Sequence, residues 1–263
     1  MARKCFKTLL FCMFVLVAMT VSAQQKEIVL DADLAANAER LKVKMGTQWM
    51  GKIWKFKFGD YSVTDSKSGW MTTTSHKKIF SFKESSVTEQ EFSFVLEEAG
   101  GDKAISNVAF SISSEALVTL FEIDDFAVGT DVPLADAQNF SAFIYTAGME
   151  EDVWLLVLNK GGSISGEQQF TGFLTNQQQT IYIYPTSSNK EGKDSRSFPA
   201  LGYEFAEGQK ALCAMQYFGG GALGFNKNVI WLRTDLDPHL KLILAAAMTS
   251  LLQTEVTVMG DMD

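Results

Sequence analysis

Few side chains in this 263-residue chain are equipped for catalysis. Only two histidines are present, His76 and His239. Neither has a second His or a Cys at ligand spacing, so there is no zinc motif. His76 lies beside Lys77 and Lys78 in a polar stretch and reads as solvated. His239 follows Asp237-Pro238 at the start of a predicted helix. A protonated ring there would meet the positive end of the helix dipole, so it reads as neutral and structural. No Ser, His and Asp set is recognisable, since such sets are defined by geometry rather than by chain order. Cys213 stands between Leu212 and Ala214 and reads as a small buried hydrophobe rather than a nucleophile.

Carboxylates are more plentiful: Glu97-Glu98, Asp124-Asp125, Glu150-Glu151-Asp152, and Asp235 with Asp237. Paired carboxylates are the groups that glycoside hydrolysis uses. They also suit Ca²⁺, which takes about six to eight oxygens. Most of these pairs adjoin predicted turns and read as solvated loop charge, and Asp237 is assigned to helix capping. Gly219-Gly220-Gly221 with Gly224 follows a strand but lacks the Lys-Ser/Thr ending of a phosphate loop, so it reads as a turn. The five tryptophans offer stacking faces for sugars. Trp154 and Trp231 sit in apolar strands and are expected in the core. Trp49 and Trp70 flank turns and are the two candidate ligand-facing residues. No residue is assigned a catalytic, cofactor or metal role.

The element that must organise these residues is the stretch 235–252, DLDPHLKLILAAAMTSLL. Asp237 can accept from the free N–H groups of a first helical turn, and Pro238 fits the first helical position. The apolar positions that follow cover nearly the whole circumference, which predicts a helix buried on all sides. A membrane span takes roughly 20 apolar residues, and Lys241 and Gln253 bound a shorter run, so a core helix is expected.

Arg3, Lys4 and Lys7 precede the apolar run 9–21, and Val21-Ser22-Ala23 precedes Gln24. This predicts a secretory signal peptide over 1–23 and a single domain over 24–263. Cys5 and Cys12 lie inside the signal rather than at its end, which argues against lipidation. The exported chain carries 20 Lys and Arg against 31 Asp and Glu. That balance disfavours nucleic acid and anionic lipid as general partners, so membrane association is not expected. Cys213 alone remains after cleavage, so no intramolecular disulfide forms.

Residues 33–42 read as a short amphipathic helix leading into the first strand. Alternating or apolar runs then predict strands in 53–58, 61–64, 70–74, 78–83, 89–97, 104–113 and 117–123. Further strands are predicted at 139–146, 153–158, 168–174, 180–184, 201–205, 211–218 and 228–233. The run 153–158 reads as buried on both faces. Residues 187–197 read as a flexible loop, and 255–259 as a last strand. Short strands at regular spacing, without alternating helices, predict a mainly β fold. An antiparallel barrel of about twelve strands is expected, with a β-sandwich and a packed helix as the alternative.

A β barrel followed by one apolar C-terminal helix resembles the tubby C-terminal fold, shared by tubby proteins, phospholipid scramblases and LURP-one-related proteins. The order strand, Asp235-Leu236-Asp237, Lys241, then Ala245 through Met248 and Leu251, is similar to the scramblase C-terminus. FKFGDYSV at 56–63, with Gly69-Trp70 beyond it, is similar to bacterial exported members of the group. The resemblance implies a twelve-stranded barrel enclosing the helix. It does not bring an activity with it: the scramblase cysteine cluster and acidic Ca²⁺ segment are missing, and no basic phosphoinositide pair maps onto this acidic chain. The expectation is an exported, non-enzymatic binding or structural module of the cell envelope, with an unknown envelope or extracellular ligand and no cofactor. A carbohydrate-binding or glycan-acting sandwich and a lipid-binding protein are the alternatives.

Overall fold

The computed structural model describes residues 27–46, 53–68, 72–77, 84–116, 119–123, 126–129, 134–159, 171–189, 199–220 and 227–260. The predicted signal peptide, 1–23, lies outside the described residues, as does the predicted strand at 78–83. The chain forms a mainly β architecture in which thirteen antiparallel strands follow one another around a nearly closed barrel. Their order starts from β1 (Ala38–Lys42) and runs through β16 (Val229–Arg233), β15 (Lys210–Phe218), β14 (Leu201–Glu207) and β13 (Thr180–Ser187). It continues through β12 (Gly172–Thr175), β11 (Met149–Asn159), β10 (Leu134–Thr146), β7 (Lys103–Ala116) and β6 (Glu84–Glu98). It ends with β4 (Tyr61–Ser68), β3 (Phe56–Phe58) and β2 (Lys44–Met45). The strand β5 (Thr72–Lys77) pairs with β6 off this path, and β8 (Thr119–Ile123) pairs with β9 (Phe126–Gly129).

Closure comes from one short segment. β1 pairs with β16 and β2 with β3, and only Val43 separates β1 from β2. Val43 N–H donates to the Asn228 carbonyl at 3.1 Å, continuing the β1 ladder. These pairings cover the edges of β16 and β3, and a covered edge does not template edge-to-edge aggregation.

Side-chain alternation fixes the inside. Phe56 and Phe58, Phe92 and Phe94, Ile144 and Ala142, Leu156 and Leu158, and Ile181 and Ile183 all point into one continuous core. Val153, expected to be buried, is 40% exposed, so β11 buries one face more fully than the other. Gly172 marks a close approach: a Cβ there would lie 2.2 Å from the Val157 carbonyl oxygen.

That core is completed by the helix α2 (Pro238–Gly260). Every residue from 242 to 255 is buried, and residues 245–248 have no exposed surface. The helix packs against β7, β10, β15 and β16. Three alanines in a row, Ala245, Ala246 and Ala247, let the strands come close to its backbone. The expected strand at 255–259 is not formed; α2 continues to Gly260. The interior is also less uniformly apolar than expected. Thr249, Ser250 and Thr254 are buried, and each hydroxyl donates to the carbonyl four residues earlier. Such local bonds satisfy the hydroxyls without water.

A second layer covers part of the outside. The segment 27–31 leads into α1 (Ala32–Asn37), capped by Asp31, and lies over β13–β16. Ile28, Leu34, Ala214, Val229 and Trp231 form a small outer core there. Trp231 is therefore buried as expected, but outside the barrel rather than within it. The helix expected over 33–42 is shorter, because residues 38–42 pair with β16 instead. Arg233, with its side chain 6% exposed, forks onto Asp235 at 2.8 and 3.1 Å and also donates to Asp33 of α1.

Candidate functional site

At one end of the barrel, tight turns at Gly59-Asp60, Ala147-Gly148 and Gly208-Gln209 join consecutive strands, and a turn at 99–102 joins β6 to β7. The helix enters from this end. In the 99–102 turn, Gly101 N–H donates to the Glu98 carbonyl at 2.8 Å and Glu98 N–H to the Asp102 carbonyl at 2.9 Å. Gly101 adopts φ +98°, a backbone conformation that side-chain-bearing residues rarely accept. Asp237 Oδ1 accepts from His239 N–H at 2.9 Å and Leu240 N–H at 3.2 Å, the predicted cap.

Between the 99–102 turn, the β10–β11 turn and the first turn of α2 lies a cavity of about 390 Å³. Thr146 and Leu242 line its inner part at 5% and 2% exposure, and Met149 stands at its mouth at 55%. His239 forms part of the wall. Its Nε2 lies 3.1 Å from Thr146 Oγ1 and 3.7 Å from Asp152 Oδ2. Asp152 is itself held, accepting from Trp154 Nε1 at 3.1 Å and from Asn176 Nδ2 at 2.8 Å.

An acid, a histidine and a hydroxyl thus meet at the barrel rim, but not as a catalytic relay. A relay needs the acid on one ring nitrogen and the nucleophile on the other. Here both approach the same nitrogen, and the Thr146 hydroxyl is buried. The cluster works as a polar clamp that ties the helix start to β10, β11 and the β12–β13 turn.

A second polar cluster sits deeper along α2. Ser250 and Ser106 hydroxyls meet at 2.8 Å with no exposed surface. Gln253 Oε1 accepts from Trp54 N–H at 3.1 Å, and its amide donates to the Trp54 carbonyl. Glu255 accepts from the Tyr203 hydroxyl at 3.0 Å. The Tyr203 and Tyr217 rings stack with centroids 5.2 Å apart. Burial, reinforced by the Glu255 charge, pushes the Tyr203 hydroxyl far above its ordinary range and Tyr217 up to about 12. Neither phenol serves as a base or nucleophile at neutral pH. Cys213 is fully buried, and that burial, together with the nearby Glu204 charge, pushes its thiol well up.

The candidate ligand-facing residues Trp49 and Trp70 lie outside the described residues, as do Asp124-Asp125, Gly221 and most of the predicted loop at 187–197. Trp154 is in the barrel core as expected. Of the acidic pairs, Glu97 meets Lys103 at 3.3 Å, and Glu150 accepts from Gly148 N–H at 2.9 Å, ordinary surface and turn roles. Among the described residues no group of three or more His, Cys, Asp or Glu is placed to hold a metal ion. None of the helices in the described part is long and apolar enough to cross a membrane.

Sequence reasoning found the cap at Asp237 but missed the meeting of His239 with Thr146 and Asp152. Thr146 and His239 are 93 residues apart, and only the closed sheet brings them together. No family model, curated protein or solved structure matches this chain.

Proposed function

We propose that this protein is an exported, tubby-like β-barrel module of the cell envelope that acts by binding and performs no catalysis. The observation that carries this reading is the filled interior. Ala245, Ala246, Ala247 and Met248 have no exposed surface, so the helix takes up the space in which an open barrel would hold a small ligand. Recognition then falls to the rims and the outer face. The rim cavity of about 390 Å³ is of a size that suits a small molecule or a single side chain of a partner.

Two described groups that could act as nucleophiles support a binding role over a catalytic one. Cys213 is sealed with its thiol pushed well up, and the Thr146 hydroxyl, buried at the inner wall of the rim cavity, is engaged by His239 on the same nitrogen that faces Asp152. The C-terminal sequence pattern, which resembles that of tubby-related proteins, supports the reading, since a barrel around a last helix is what that resemblance implies. Export rests on the basic and apolar start of the chain and on its small-residue cleavage pattern.

Two measurements test the reading together. N-terminal sequencing of the protein recovered outside the cytoplasm should begin at Gln24; a start at Met1 sinks the export claim. Turnover should be absent across a broad panel of esters, glycosides, phosphates and peptides. Robust turnover that survives repurification would replace binding with catalysis.

A further inference from the structure

We infer that the outer face of the barrel seam binds an acidic polysaccharide through Lys42, Lys44, Lys55 and Lys57. This deepens the binding reading above and rests on it. The seam is where β1 pairs with β16 and β2 with β3. Alternation fixes which way its side chains face. Leu41, Val43, Phe56 and Phe58 are buried in the barrel core. Their chain neighbours Lys42, Lys44, Lys55 and Lys57 are exposed and stand on the outside. Lys44 lies directly opposite Lys57 in the ladder. Two residues further on, Gly46 N–H donates to the Lys55 carbonyl at 2.8 Å. With strands about 4.8 Å apart and about 3.4 Å per residue, the four side chains are rooted within about 15 Å of one another.

Two features set this strip apart from ordinary solvated charge. Like charges directly opposite each other weaken a sheet. The Lys44–Lys57 pair nonetheless stands uncompensated in a chain with 31 Asp and Glu against 23 Lys and Arg. Among the described residues no carboxylate meets Lys42, Lys44, Lys55 or Lys57, and the one bond made by their ammonium groups runs from Lys55 Nζ to the Thr64 carbonyl at 3.5 Å. The bordering Arg40 and Lys227, by contrast, are both met by Glu27. A bound anion supplies the countercharge that the fold does not.

The shape of the strip selects the ligand class. Lysines are mobile point charges without the planar fork that grips one carboxylate in a fixed pose. A row of them suits a polymer with repeated negative groups better than a single small anion. The basic area is also narrow. Glu39, Asp60 and Glu98 gather around Tyr61 at one end, and Glu97 stands opposite Ser62, which itself pairs with Lys57. A flat anionic bilayer laid on this face would press against those carboxylates too, whereas a single polymer chain follows the lysines alone. Export, as proposed above, favours an acidic glycan over nucleic acid.

The test is isothermal titration calorimetry on the purified protein with polygalacturonate, neutral dextran, a thymidine oligonucleotide and phosphatidylglycerol vesicles. Polygalacturonate should bind saturably, and its affinity should fall about tenfold between about 50 and 200 mM salt, the response of two or three neutralised lysines. Dextran should not bind. Lys44→Gln combined with Lys57→Gln should weaken polygalacturonate by at least about fivefold and flatten the salt response. That double variant should melt no lower than the wild type, because it removes a like-charge pair. Lys210→Gln, in the β14–β15 turn and paired with Asp235, lies outside the strip and should leave the affinity unchanged.

Dextran binding as tight as polygalacturonate would overturn the role of charge. Tighter binding of the vesicles or the oligonucleotide would overturn the polysaccharide assignment in favour of that class. Polygalacturonate binding indifferent to the double variant would overturn the location. Absence of salt-sensitive binding to every probe would overturn the strip as an interaction surface, while the sequencing and turnover measurements above test the wider reading separately.

Discussion

The Ser106–Ser250 contact gives a sharp energetic test of the helix position. Both side chains have no exposed surface, and their hydroxyls are 2.8 Å apart. Ser250 Oγ is also 2.9 Å from the Ala246 carbonyl, to which it donates its proton. Ser106 must therefore donate and Ser250 accept between them. Ser250→Ala leaves the Ser106 hydroxyl buried without an acceptor, a cost of about 1–3 kcal/mol. The better helix propensity of alanine returns about 0.5 kcal/mol. Ser106→Ala leaves Ser250 with its bond to Ala246 intact and costs about 0.5–1.5 kcal/mol. In the Ser106→Ala background there is no orphan to create, so Ser250→Ala becomes neutral or slightly stabilising. Equilibrium urea unfolding of the wild type, both single variants and the double variant reads the cycle directly. The predicted coupling is on the order of 1–2 kcal/mol. Single effects that add to within about 0.5 kcal/mol would mean that the two hydroxyls do not meet, and that the helix is not seated against β7.

Other perturbations probe the barrel, the outer layer and the helix. The Arg233 fork holds Asp235 down to about 2, below the ordinary aspartate value. A group depressed in this way adds stability above its unfolded pKa, and that stability is lost as pH falls from about 4 toward about 2. Asp235→Asn should therefore flatten the acid limb of the stability profile between those pH values; an unchanged limb refutes the linkage. Ala246→Arg puts an unpaired charge where there is no exposed surface, at a cost of several kcal/mol, about the size of total domain stability. No soluble folded protein is expected, and wild-type-like melting would mean that the helix is exposed. Gly172→Ala places a Cβ 2.2 Å from the Val157 carbonyl and should lower stability by about 1–3 kcal/mol, measured by urea unfolding. A change below about 0.5 kcal/mol would show that β11 and β12 yield there.

The fold was legible where local chemistry and burial agree. Asp237-Pro238 announced the helix start, and apolar residues on every side of the following run announced its burial. The paired turn and strand at Gly59-Asp60 and Tyr61 were equally plain. The misses have physical causes. The sequence EVTVM at 255–259 is β-branched and reads as strand, yet it continues the helix. The helix that starts at Pro238 simply carries on through these residues, each peptide group bonding within the helix, so that no strand partner is needed. Residues 38–42 contain good helix formers, but β16 presents an open edge at that point, and Glu39 pairs opposite Leu232. The cavity was invisible because its walls come from turns far apart in the chain. No local pattern links Asp102 with Pro238 or Thr146 with His239.

The central claim is that the barrel encloses its own last helix. Amide hydrogen exchange on the purified protein, without detergent, reads this over residues 242–255. Exchange only at the rate of global unfolding is predicted, since every residue in that span is buried. Fast exchange across the span, or a requirement for detergent to keep the protein in solution, would contradict the account and make the helix an exposed or membrane-seeking element.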